Sequence, residues 1–522
     1  MKTCKTIIGV VLVIALLLSV GCAGGGDKKV DTNQSVSTQT KDTPAQTQKD
    51  TLKIAYAKGP DTLDCNLTSN NEAERVFANI YGTLLKFDSD YKPQPYIAKS
   101  WEFSADGLQC TFHLRDDVKF HNGKKLTAKD VVYSFQKVQQ SSFNGAFLTP
   151  VDKFEAVDDY TVKLSLKAPY GPLLNVMCEP LCGIVDSEAY ETSMDSFKTK
   201  PISCGPYKVV ELIPDNKLVL ERFDEFFGGP APIKKIDIMF IPDVSTMAIA
   251  LEKGEVDAAE GISTNNRENI MANKKLNFFE APATKYYHLA FNNQNEKLKD
   301  IKVRQAISYA INKKAVIGNA MDGVGKEAVC TVSEACFGFP ANFSDYEYDP
   351  NKAKALLKEA GKEGLKFDIY ISFNDLNKKI AETLQSDLNA AGFDVAVKIM
   401  ERPGFVDAVG KGNFDVAVLS WSDSLMDADA TVAYRFDRNF TGMAGNWSWI
   451  MDDKLMKYVV DARSTVDEQK RKDTYKEMFQ YVKDQAFEKP LFFPMNNVGA
   501  SKDLKVKGAS PTGIYYYNEW TW

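Results

Sequence analysis

Histidine is nearly absent: the 522 residues contain three, His113, His121 and His288. None stands near a cysteine pair, so zinc sites and histidine-based acid–base chemistry lose their usual ligands and bases. The chain also lacks any basic run past its N-terminus. Its 64 Lys and Arg are dispersed among 70 Asp and Glu, for a net charge of -6, which excludes the charge footprint of a nucleic-acid binder. No G-x-S-x-G, H-E-x-x-H or cysteine-protease signature occurs, so a secreted hydrolase would have no recognisable nucleophile and base. Cys110 and His113 fall on opposite faces of one strand pattern and read as structural.

Residues 23–50 contain no Leu, Ile, Met or aromatic residue. Such a segment cannot bury enough apolar surface to offset its ordering entropy and reads as a flexible tether. Ahead of it, 1–22 has the form of a leader: Lys2 and Lys5, an apolar stretch from Ile7 to Leu18, then Ser19-Val20-Gly21-Cys22. The Gly21-Cys22 pair resembles a bacterial lipobox, which makes Cys22 the expected lipidation site, although Ser19 stands where that motif carries Leu, Val or Ile. Of the nine cysteines, seven remain after Cys4 and Cys22, an odd number. Pairing of Cys330 with Cys336 and of Cys178 with Cys182 stays open, and neither spacing is that of a zinc knuckle.

What is present is ordinary globular material, 44% hydrophobic and 26% charged, in a chain long enough for two or three lobes. From Leu108 to Leu114 the residues alternate with Leu108, Cys110, Phe112 and Leu114 on one face, the period of a half-buried strand. A short strand over Val118–Phe120, the turn Asn122-Gly123 and a capping box Thr127/Asp130 opening a helix follow, so the stretch reads as hairpin, turn and capped helix. Strands are expected over Thr51–Ala57, Lys208–Glu211, Lys217–Arg222, Ile236–Phe240, Tyr286–Asn292, Phe367–Ser372, Asp394–Met400 and Phe414–Leu419. Helices are expected over Glu72–Leu85, Val244–Leu251, from Val303, from Pro350 behind the cap Asp349, and over Lys378–Ala391. This strand and helix rhythm makes α/β lobes with mixed sheets.

The run W101-E-F-S-A-D-G-L-Q-C-T-F-H-L-R115 followed by V118-K-F-H-N-G-K-K-L-T-A-K-D-V-V132 resembles the signature of the extracytoplasmic solute-binding proteins of family 5, the peptide and nickel binders of ABC importers. Pro201–Tyr207, Gly254–Ala258 and Y348-D-P-N-K-A-K-A-L-L-K-E-A-G361 are similar to the same family. The resemblance implies the two-lobed periplasmic-binding-protein type II fold, cluster C, with an extra domain inserted on lobe I. Lobe I would comprise 51–82, 185–285 and 497–522, the inserted domain 83–184, and lobe II 286–496, with crossings near Tyr287 and Asn496. It implies a substrate-binding lipoprotein outside the cytoplasm, on the outer face of a Gram-positive membrane or in a periplasm. Such a protein delivers a small solute, a peptide first among candidates, to an ABC permease. A nickel chelate, an oligosaccharide, an opine or a sensor role are the alternatives. Neither a cofactor, a metal, a nucleic acid nor a second copy is expected.

The candidate ligand loop is Trp421 to Asp429, following the buried strand run Phe414–Leu419, because loops at the carboxyl ends of such strands favour ligands. Peptide-binding members of the family commonly carry Trp-x-x-Asp-x-x-Asp-Pro here, the first Asp meeting the peptide's amino group. This sequence has Trp421, then Ser424 in place of that Asp, and Asp427 at the sixth position. Asp423, one residue earlier, is the candidate substitute. Tyr81, Asn292, Arg402 and Trp447 complete the expected ligand contacts.

Overall fold

The computed structural model describes residues 49–442 and 445–522. The leader, Cys22 and the tether up to residue 48 lie outside them. Among the described residues no helix is long and apolar enough to cross a membrane.

Two large mixed sheets dominate. The first has seven strands in the order Leu276–Pro282, Met495–Ser501, Ala258–Glu260, Thr51–Tyr56, Lys235–Phe240, Lys217–Arg222 and Tyr207–Ile213. The second has six, in the order Lys326–Glu327, Glu488–Phe493, Tyr286–Phe291, Val416–Trp421, Lys366–Ser372 and Asp394–Met400. Each sheet is the floor of its own lobe. Central strands are buried throughout, as Tyr286–Phe291 is at all six positions. Lys366–Ser372 keeps the alternation of a half-covered strand. The chain passes from the first sheet to the second across 283–285 and returns at Pro494. The two crossings are tied together where Ala283 N–H donates to the Pro494 carbonyl at 2.8 Å.

The segment around Cys110 builds a separate four-stranded antiparallel sheet, ordered Ala98–Phe103, Gln109–Leu114, Thr161–Leu166 and Val151–Asp158. Cys110, Phe112 and Leu114 point into its core, as the alternation requires. The hairpin partner of that strand is Ala98–Phe103, not Val118–Phe120. Of the latter region Lys119 makes a single bridge to Lys125 around Gly123, whose φ of +86° suits the tight turn. The capped helix runs Ala128–Gln140, with Thr127 N–H donating to Asp130 Oδ2 at 3.0 Å.

The helix expected over Glu72–Leu85 spans Asn71–Ile80 and stops at Tyr81, whose backbone is extended. Its Asn79 side chain holds the C-terminal tail: Nδ2 donates to the Tyr515 carbonyl and Oδ1 accepts from Tyr517 N–H, both at 2.8 Å. Tyr515, Tyr517 and Trp520 are thereby buried in the first lobe's core beside Tyr56 and Val498.

Candidate ligand site

The strand Val416–Trp421 ends at the loop 422–427, and a helix, Ala428–Phe436, follows it. That helix buries Val432, Ala433 and Phe436 and begins at Asp427, whose side chain accepts from Asp429 N–H at 2.9 Å. The loop forms part of the wall of a cavity of about 620 Å³, within the ~300–1,000 Å³ range of small-molecule sites. Its other walls come from distant parts of the chain: Phe87 and Tyr91 in the two-stranded hairpin of Leu85–Phe87 and Pro93–Pro95, Pro180, Ala281 beside the crossing, and the tail from 507 to 520 with Tyr515, Tyr516 and Trp520. From the second lobe Ser424 and Met426 face it. The cavity therefore lies between the lobes, walled mainly by aromatic and small side chains.

Of the eight expected contacts, Ser424 lines this cavity and Asp423 sits next to it. Asp423 is buried at 4% exposure. Its Oδ2 is 3.5 Å from Thr431 Oγ1, and its Oδ1 has no partner. Burial, then the nearby charge of Asp427, pushes its carboxyl well above the usual range. Trp421 packs on Tyr434 at 5.6 Å between ring centres and against Tyr286, Ala328 and Phe493.

The structure gives the remaining expected contacts other work. Asp427 accepts both guanidinium ends of Arg471 at 2.6 Å and caps its helix, so its charge is spent inside the second lobe. Tyr81 donates its hydroxyl to the Leu63 carbonyl at 2.8 Å. Asn292 donates to the Gly412 and Phe414 carbonyls, pinning a turn of its own lobe. Trp447 packs with Phe405, Val409 and Phe414, and Arg402 stands exposed at the start of the helix Arg402–Gly410. Asp429, also in the acidic loop sequence, pairs with Arg463 at 2.9 Å.

Two carboxylates that sequence reading did not single out lie behind the cavity wall. Glu179 directly precedes Pro180, and Glu74 sits on the helix Asn71–Ile80; they are 0% and 4% exposed. Burial raises both carboxyls, and the charge of Glu179 raises Glu74 further. Ser424 is a polar neighbour of Glu179 and eases its ionisation. Arg75, beside Glu74, reaches instead toward Glu260 at 3.6 Å.

The described cysteines, Cys65, Cys110, Cys178, Cys182, Cys204, Cys330 and Cys336, are free and buried. Burial pushes Cys110, Cys204 and Cys330 up to about 12, so these thiols stay protonated and unreactive. His121, held at about 4 by burial, is neutral and donates Nε2–H to the Gly205 carbonyl at 3.1 Å. His288 is likewise driven well below its usual value by burial. Among the described residues no group of three or more His, Cys, Asp or Glu is arranged to hold a metal ion.

Residues 92–441 match the family model described as bacterial extracellular solute-binding proteins, family 5, middle region. The chain belongs to that family. It is 28% identical to a dipeptide-binding protein of Escherichia coli over 91% of this chain and 95% of the relative. To the nickel-binding periplasmic protein of the same organism it is also 28% identical, over 85% of this chain and 89% of the other. The solved structure of HbpA2 from Haemophilus parasuis superposes with a TM-score of 0.83 at 25% identity, covering 90% of this chain and 99% of that one. The two large sheets are the two lobes of the family fold, and the four-stranded sheet belongs to its extra domain.

Proposed function

We propose that this protein is the solute receptor of an ABC importer. Held outside the cytoplasmic membrane by a lipid on Cys22, it closes its lobes on a short peptide and presents the closed form to the permease. It works by binding, without changing a bond in the solute. The observation that carries the reading is the cavity between the lobes, because its walls converge from five separated stretches of sequence. A solute filling it touches both lobes at once, so binding and closure share one free energy. The family's dipeptide-binding relative favours a peptide. The nickel-binding relative finds no counterpart in this cavity, whose lining includes no histidine. Asp423, with one unpartnered oxygen, places a carboxyl group beside the wall on the second lobe's side.

Native mass spectrometry of the detergent-solubilised protein, followed by denaturation to release what it carries, tests the reading. Peptides of a few residues are expected. Release of a metal chelate or a sugar in their place would sink it.

A further inference from the structure

We propose that Glu179 and Glu74, across the cleft from the loop 422–427, accept the solute's ammonium group in place of the carboxylate that Ser424 lacks. The inference rests on the solute-receptor reading above and names the chemistry of its ligand.

Placement is the first support. Pro180 and Ser424 both face the cavity, Glu179 adjoins the one in sequence and the other in space, and Glu74 is next to Glu179. The second support is that the oxygens are unspent. Glu74 Oε1 and Glu179 Oε2 are buried without a hydrogen-bond partner, as is Asp423 Oδ1. Glu179 Oε1 accepts a long 3.4 Å bond from Leu181 N–H. Nearby cations are committed elsewhere: Arg75 to Glu260, Arg471 to Asp427, Arg463 to Asp429, and Lys86 and Lys507 to Glu519.

Three acidic groups thus cluster just behind one wall, Glu74 and Glu179 against each other with Ser424 at Glu179, and each keeps one oxygen that faces no donor. A buried polar atom left without a partner is destabilising, and the protein tolerates several here at a single place. An ammonium offers three donors and a positive charge, which match such oxygens. The carboxylate that peptide-binding relatives carry at the third position after the tryptophan is a serine here, and the acid is supplied from the opposite side. A solute so held is gripped through its cation by the first lobe and the inserted domain, and through its body by the aromatic walls.

Titration calorimetry of the full chain with three probes tests this: a random tripeptide pool with free amino termini, the same pool N-acetylated, and a set of organic amines without peptide bonds. The free pool is expected to bind, acetylation to weaken it at least tenfold, and E179Q and E74Q to weaken it similarly, with E296Q, at an exposed glutamate paired with Lys299, unchanged. Equal affinity for free and acetylated pools overturns the proposal and leaves the peptide reading standing. That comparison uses the unaltered protein and so decides even where a variant fails to fold. Unchanged affinity in both E179Q and E74Q, with sensitivity to acetylation kept, assigns the ammonium to Asp423 and also overturns it. Binding of the amines alone, weakened in E179Q, supports the cation site and overturns the peptide reading. Binding of none of the three overturns both.

Discussion

Asp427 shows how one residue type in one loop divides between ligand and architecture. Its carboxylate is fully buried and held by Arg471 at two 2.6 Å contacts, while Asp423, four residues earlier, keeps an oxygen free. Removing one member of a buried pair strands the other charge, at a cost of ~3–5 kcal/mol. Asp427→Asn is therefore expected to lose stability of that order in urea unfolding, with solute affinity of the folded fraction unchanged. A variant that stays stable and loses affinity would return Asp427 to the site. Glu260 gives a second residue-level expectation. Burial holds its carboxyl at about 7, against the pull of Arg75, Tyr517 and Tyr56. Its folded value lies above its ordinary one, so the folded state takes up the proton first. The stabilisation is complete below about pH 4.5 and is lost as pH rises through 7, a change of roughly 3 kcal/mol. Unfolding at pH 5 and at pH 7.5 should show this loss in the wild type and a smaller one in Glu260→Gln.

Elements follow local rules that the sequence displays openly. Asp349 and Pro350 start a helix, and Asp349 Oδ1 accepts from Lys352 N–H at 2.9 Å as its composition implies. Alternation places Gln109–Leu114 and Lys366–Ser372 as half-covered strands. Tertiary demands decide the rest. The helix Asn71–Ile80 ends early because Tyr81 turns away to reach Leu63, a contact no local pattern encodes. The helix Ala428–Phe436 escapes notice because its N-cap, Asp427, reads equally well as a ligand group. The site itself is least legible. Its walls come from 87–91, 180, 281, 424–426 and 507–520, which only topology brings together. One available signal is the density of aromatics from Tyr515 to Trp522, high for a chain terminus. Close approach of elements also explains Gly205. A Cβ there would lie 2.5 Å from the Ile80 carbonyl carbon and 2.8 Å from Tyr81 N, and both are backbone atoms that cannot swing aside. Gly205→Ala is expected to destabilise by ~1–3 kcal/mol, as overpacking does, read as a lower urea midpoint.

For the whole molecule, affinity is the solute's contact energy less the cost of holding the cleft shut, so residues that never meet solute still set it. The second lobe's loop is gripped by residues 170–176 beside the cavity wall. Asn175 Nδ2 donates to the Leu425 carbonyl at 2.9 Å, Leu425 packs among Leu173, Val176 and Tyr170, and Gly171 N–H donates to the Arg463 carbonyl at 2.8 Å. These contacts join the two sides of the cleft, and opening would break them. A neutral hydrogen bond contributes about 1 kcal/mol net, so Asn175→Ala should weaken solute binding about fivefold, through faster release. Small-angle scattering should show the same compact form for variant and wild type at saturating solute, and a larger mean radius for the variant at subsaturating solute. Unaltered affinity in Asn175→Ala would mean that the loop 422–427 travels with the inserted domain, and that the lobes part along a different surface from the one bounded by Ser424 and Pro180.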